Sequence, residues 1–286
     1  MQGKIFPIAT GFVLFLLSLY LAFFLGFNHF YEVLLTGLFL ALFPFTKKHF
    51  VNFKLAMALY LSFVASGLFL DLLVGLSVFK LWHYSYSNSF EYILLYTLVY
   101  PLGGFVALQS FLLCKSFIKT ENVARAHNLK TGIIIFTALL LLLIGILTAS
   151  KAHFSFTTWA AILTVSAIMF GIISINAVSE ILNGKSYVRE LIGSPQKVIL
   201  VTFISTYVNA FIHEYPNVFA GQWIYTAYAN QFLNTPILGI PIFVLLIWPA
   251  LVIVPVSIYY FLEPIMQTPS GGGGLLETES RGLTSI

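Results

Sequence analysis

Charge is scarce in this chain. Only 8% of its 286 residues are Asp, Glu, Lys or Arg, against about a quarter in an ordinary soluble domain. Aspartate occurs once, at Asp71, and cysteine once, at Cys114. With so few charges the surface of a soluble multidomain enzyme or a nucleic-acid module could not be solvated, and both classes are excluded. A single cysteine allows no internal disulfide, and the apolar neighbours of Cys114 make it a packed or lipid-facing thiol. The chain has no HExxH or CxxC spacing for a metal, no GxSxG elbow for a serine nucleophile, and neither GxxxxGK[ST] nor GxGxxG for a nucleotide. No metal and no cofactor is expected.

What is abundant is apolar and aromatic surface: 59% hydrophobic residues, with 29 Phe and 15 Tyr. The runs predict an all-α, polytopic transmembrane helical bundle of about eight spans, near residues 6–27, 31–45, 55–74, 92–117, 131–149, 157–182, 198–212 and 237–262. The first run is longer than a signal h-region and lacks a small-x-small cleavage site, so it reads as a retained helix. Of the 14 basic residues, all but Lys80 and Lys151 then fall on one side of the bilayer. Lys and Arg mark cytoplasmic loops, so both termini are expected in the cytoplasm, which also accounts for the net charge of +4 without an anionic partner. Residues 1–266 form the membrane domain. Residues 267–286, with Pro269 and the run from Gly271 to Gly274, are expected to form a disordered tail. With no organelle signal and no Asn-x-Ser/Thr sequon, a prokaryotic plasma membrane is the default location.

This topology collects His29, His83, His153 and His213 on the outer side, with the carboxylates Glu32, Asp71, Glu91 and Glu214. Polar helix ends must face water somewhere, and that alone explains most of them. A carboxylate near hydrocarbon is nevertheless costly unless paired, which makes it a functional candidate. Asp71 follows an apolar run and is the first choice. His213 and Glu214 end the seventh run, where Ser205, Asn209 and His213 recur every four residues and draw a polar stripe along one helix face. The stripe serves either as glue between helices or as a cavity wall. Asp71, Glu214 and His213 are the candidate catalytic groups, and Trp82, Tyr84, Glu91, Trp223 and Tyr225 the candidate ligand contacts.

Two stretches share an order of features. Asp71, Trp82-His83-Tyr84 and Pro101-Leu102-Gly103-Gly104 lead into the fourth run; Glu214, Trp223-Ile224-Tyr225 and Pro241-Ile242-Phe243-Val244 lead into the eighth. The Tyr-to-Pro separations are 17 and 16 residues. Either the chain is duplicated, with units near 5–118 and 130–262, or Trp and Tyr anchor two membrane interfaces and Pro marks two helix starts. At these residues the chain resembles the lycopene cyclase domain family of integral membrane carotenoid cyclases. Those proteins are built from tandem repeats with an acidic residue near a helix end, a Trp-x-Tyr or Trp-Gly segment, and Pro-Leu-Glu-Glu opening the next helix. The resemblance covers residues 5–118 best and 200–262 more loosely.

The family's paired glutamates are replaced here by Gly103 and Gly104, and by Phe243 and Val244 in the second stretch. Protonating a polyene needs a positioned acid and negative charge beside the cation. Cyclisation through that motif is therefore not expected, and the resemblance implies instead a scaffold that binds or modifies an isoprenoid or lipid on the outer-leaflet side. Two other readings remain open: a non-catalytic membrane assembly subunit, and a small-solute transporter with Pro-broken helices. Gly103, Gly104 and Gln109 read first as helix-packing residues. The bilayer is the expected partner, with an isoprenoid or lipid as ligand and no nucleic acid.

Overall fold

The computed structural model describes residues 2–71, 82–118, 156–225 and 234–267. In hydrocarbon every backbone N–H and C=O must be satisfied within the segment, and apolar runs of this length accordingly become helices. In order these are α1 (Gln2–Leu25), α2 (Phe30–Thr46), α3 (Phe53–Phe69), the short α4 (Ser89–Leu94), α5 (Tyr100–Phe117), α6 (Phe156–Asn183), α7 (Tyr187–Gly193), α8 (Pro195–Ala220) and α9 (Ile242–Gln267). Among the described residues, five helical segments are long and apolar enough to cross a membrane: those holding α1, α2, α4–α5, α8 and α9. The apolar helix 53–69 is shorter, and α6 carries a further apolar stretch at 168–182. The run at 131–149 and the tail at 267–286 lie outside the described residues, apart from the end of α9 at Gln267. Side chains such as Phe6, Phe24, Phe53 and Leu246 stand exposed on the helices, as lipid-facing residues do.

Local chemistry fixes several boundaries. Asn52 caps α3 by accepting from the N–H groups of Lys54 and Leu55. Asn88 and Glu91 form a reciprocal capping box at the start of α4. From there the helix runs unbroken to Phe117, passing through a π-helical segment, Leu95–Val99, just before Pro101. Proline has no N–H to give the carbonyl one turn back, and a wider turn beside it accommodates that loss. At the far end of α8 the chain stops at Gly221, whose left-handed φ of 64° suits a residue without a side chain.

The sequence places the seventh run at 198–212, whereas α8 extends to Ala220 through His213, Glu214 and Pro216. Those polar residues do not end the helix because other elements supply their hydrogen-bond partners. The eighth run begins at Ile242 rather than near 237, because β3 (Pro236–Ile237) and β4 (Ile240–Pro241) pair antiparallel ahead of α9.

The main core joins Leu55, Leu59 and Phe63 of α3, Leu108 and Phe111 of α5, Val198 and Val201 of α8 and Val252 and Val256 of α9. Helices α1 and α2 cross closely, since a Cβ on Gly11 would lie 2.5 Å from backbone atoms of Gly37 and Ala41. One end of the bundle gathers ions: Arg189 binds the buried Glu180, Lys115 binds Glu190, and Lys185 lies 3.5 Å from Glu263. His49 meets the Tyr259 hydroxyl at 3.0 Å at that same end. At the opposite end β1 (Trp82–Tyr84) pairs antiparallel with β2 (Trp223–Tyr225), two segments 141 positions apart in register: Trp82↔Tyr225, His83↔Ile224, Tyr84↔Trp223.

Candidate functional site

Side chains alternate across a strand, and directly opposed residues of an antiparallel pair point to the same face. Trp82, Tyr84, Trp223 and Tyr225 therefore share one face of the β1–β2 ribbon, while His83 and Ile224 are exposed on the other. The aromatic face turns into the bundle and meets both carboxylates. Trp82 Nε1 donates to Asp71 Oδ1 at 3.1 Å, Tyr84 OH to the same oxygen at 3.2 Å, and Tyr100 OH from α5 at 2.6 Å. In the second cluster Trp223 Nε1 donates to Glu214 Oε2 at 3.1 Å, Tyr225 OH to Oε1 at 2.8 Å, and Trp248 Nε1 from α9 to Oε1 at 3.0 Å. Each carboxylate thus holds the Trp and the Tyr of its own strand plus one aromatic donor from the helix that follows.

The two clusters differ in how full they are. All three donors reach one oxygen of Asp71, and Oδ2 is buried with no hydrogen-bond partner among the described residues. Both oxygens of Glu214 are occupied, each by an indole N–H that can only donate. Burial, reinforced by the neighbouring carboxylate, raises the Tyr84 and Tyr225 hydroxyls well above the ordinary phenol value, so both remain neutral donors. Burial does the same for Tyr86 on the loop after β1.

These aromatic groups border a cavity of about 510 Å³, within the range of small-ligand sites. Glu214 and His213 are on its wall, with Trp82, Tyr84, Trp223 and Tyr225. Asp71 is not; it stands behind Trp82, Tyr84 and Tyr100, which are. The rest of the wall is mainly apolar and comes from α3, α5, α6 and α9, and among the described residues no Lys or Arg contributes to it. The ring of Tyr100 leans on Gly67, where an added Cβ would fall 2.2 Å from its Cγ; any side chain there would push the hydroxyl away from Asp71. Gly104 is likewise closed off by the Phe63 ring, which is the helix-packing role expected for it, whereas a Cβ added at Gly103 would come no nearer than 4.0 Å to a described side chain, and Gly103 borders the cavity. Gln109 is fully buried, with neither amide atom hydrogen-bonded among the described residues.

The stripe on α8 divides between its two expected roles. Ser205 bonds back to the Val201 carbonyl within α8, and Asn209 makes the interhelical contact, accepting from Ser110 of α5 at 3.5 Å. His213, one step further, is cavity wall. Its Nδ1 lies 2.9 Å from Tyr31 OH, its ring packs edge-on to Trp248, and Nε2 is buried without a partner among the described residues. A buried polar atom left unpaired costs about 1–3 kcal/mol.

Glu91 is the one candidate that the structure keeps apart from this group. It caps α4, accepts from the Ser87 and Asn88 N–H groups, and meets His29 Nε2 at 3.1 Å. His29 in turn contacts Glu32, whose carboxylate accepts from Gln222, and Gln222 also donates to Tyr86 OH at 2.9 Å. This chain braces the rim from outside the cavity. The composition of the wall also includes Tyr31, Tyr100, Gln222 and Trp248, which motif reasoning did not single out. Among the described residues no group of three or more His, Cys, Asp or Glu side chains is placed to hold a metal ion. Comparison of the chain with models of known protein families, with curated proteins and with solved structures returns no match.

Proposed function

We propose that this chain is a multi-pass membrane protein with a lycopene-cyclase-like scaffold of about eight spans that holds an isoprenoid or related lipid in its aromatic cavity. The observation that carries the reading is the pair of carboxylate clusters meeting across β1 and β2. An apolar wall accepts a hydrocarbon chain. Aromatic faces and the Glu214 carboxylate, with no Lys or Arg on the wall among the described residues, favour positive charge on or developing within a bound molecule. Glu214 is the group in reach of such a ligand, and Asp71 acts by holding Trp82, Tyr84 and Tyr100 in place.

Two features support the scaffold and a duplicated origin. The β1–β2 register maps onto itself when the strands are exchanged, and each strand serves the acid that precedes it. The four positions that match the family's paired glutamates, Gly103, Gly104, Phe243 and Val244, all border the cavity, where they contribute space and apolar surface instead of acid. Cyclisation by those positions is therefore not part of the proposal. The grouping of Lys115, Lys185 and Arg189 at the end opposite the strands favours a cavity opening toward the extracytoplasmic side, with both termini in the cytoplasm of a prokaryotic cell.

The test is mass and visible-absorption analysis of lipids extracted from protein purified in mild detergent, set against the same membranes lacking it. One isoprenoid retained in near-stoichiometric amount is the expected result. Phospholipid alone, in the proportions of the membrane, would overturn the reading.

A further inference from the structure

The polar atoms of the cavity wall are almost all used up within the protein. The wall's other indoles and phenols are bonded to Asp71, Glu214 or Gln222, Ser66 donates to the Ser62 carbonyl, and both Glu214 oxygens are occupied. The Gln222 amide donates to Glu32 and Tyr86 and accepts from the Tyr31 N–H. Tyr31 OH lies 2.9 Å from His213 Nδ1, a hydrogen bond that fixes the imidazole ring. That leaves His213 Nε2, on a residue only 1% exposed, as the wall's one buried side-chain polar atom without a partner among the described residues.

From this we infer that His213 is the recognition point for a single oxygen on an otherwise apolar ligand, so that the cavity takes an oxygen-bearing isoprenoid, an alcohol or carbonyl compound, in preference to a pure hydrocarbon. The inference rests on the isoprenoid reading above and narrows it. A hydrocarbon would fill the apolar wall and leave Nε2 unpaired. A hydroxyl pairs with it in either tautomer, because it can both donate and accept. The neighbouring Glu214, already saturated by its three aromatic donors, does not compete for that oxygen.

The experiment titrates the purified full-length protein in detergent with all-trans-geranylgeraniol and with the hydrocarbon of the same chain lacking the oxygen. Binding is read from quenching of tryptophan fluorescence, since Trp82, Trp223 and Trp248 all border the cavity. One buried hydrogen bond corresponds to about a tenfold preference for the alcohol. His213→Leu should erase that preference while hydrocarbon affinity stays within about twofold, which also shows that the variant is folded. His213→Gln, which retains a donor and an acceptor, should keep part of it. Equal affinity of the wild type for both probes, or a preference that survives in His213→Leu, would overturn the inference and leave the isoprenoid reading standing. Failure of both probes to bind would overturn the two together.

Discussion

Glu214→Gln lowers the thermal unfolding midpoint of the detergent-purified protein by about 4–8 °C, the equivalent of about 2 kcal/mol in a chain of this size. The carboxylate accepts an indole N–H on each oxygen, from Trp248 at 3.0 Å and from Trp223 at 3.1 Å. An amide offers one oxygen and one NH2. However it is turned, one indole donor faces another donor, and that buried N–H loses its partner. The same change withdraws negative charge from the wall and frees the β2 aromatics to move, so the amount of co-purifying isoprenoid should fall at least about tenfold. Differential scanning fluorimetry and lipid extraction on one preparation read both effects. An unchanged midpoint would mean that the aromatic cluster does not depend on the acid.

The second large effect is expected at the opposite end. Arg189→Ala destabilises the protein by about 3–5 kcal/mol, because it strands the carboxylate of Glu180, which is 3% exposed, without its cation. Arg189 Nε bonds both Glu180 oxygens at 2.9 Å and Nη2 adds a further contact, a fork that lysine could not reproduce. Ser186 completes the unit: its hydroxyl donates to Glu180 at 3.1 Å and accepts the Arg189 N–H at 3.0 Å, capping α7. Burial of one uncompensated charge drives most of the loss. The double variant Glu180→Gln with Arg189→Met should therefore recover more than half of it, and chemical denaturation of the four proteins in the cycle measures that recovery. Equal damage in the single and double variants would assign the effect to packing instead of charge.

The residues that sequence reasoning located are those whose chemistry is unusual for their surroundings. Asp71 and Glu214 stand out because charge is rare in apolar runs, and Trp82, Tyr84, Trp223 and Tyr225 because a Trp-x-Tyr follows each acid at similar spacing. The i, i+4 stripe announced that Asn209 and His213 share a face, though only packing decides that one meets α5 and the other a cavity. Tyr31, Tyr100 and Trp248 were not legible, since aromatic residues are common in every span and their role comes from contacts made across 182, 29 and 34 positions. Glu91, which stands apart from the cavity, has a local explanation. Acidity near a helix start drew attention, yet Asn88-x-x-Glu91 is a capping-box pattern that explains the residue locally. The end of α8 was placed too early because His213, Glu214 and Pro216 look like a stop; β2 and α9 supply donors to Glu214 and let the helix continue.

Gly103, Gly104, Phe243 and Val244 border the cavity, while the acids Asp71 and Glu214 are held by indoles and phenols. On the reading proposed above, such an arrangement would place an apolar molecule beside the Glu214 carboxyl group, with His213 as the polar handle.

The most direct measurement is an experimental density map of the protein in lipid nanodiscs, with an antibody fragment bound for alignment. The expected map shows one elongated density filling the space between Trp82, Trp223 and Trp248, with a polar end at His213. A cavity collapsed on itself, or one open sideways and filled by ordinary phospholipid tails, would contradict the account.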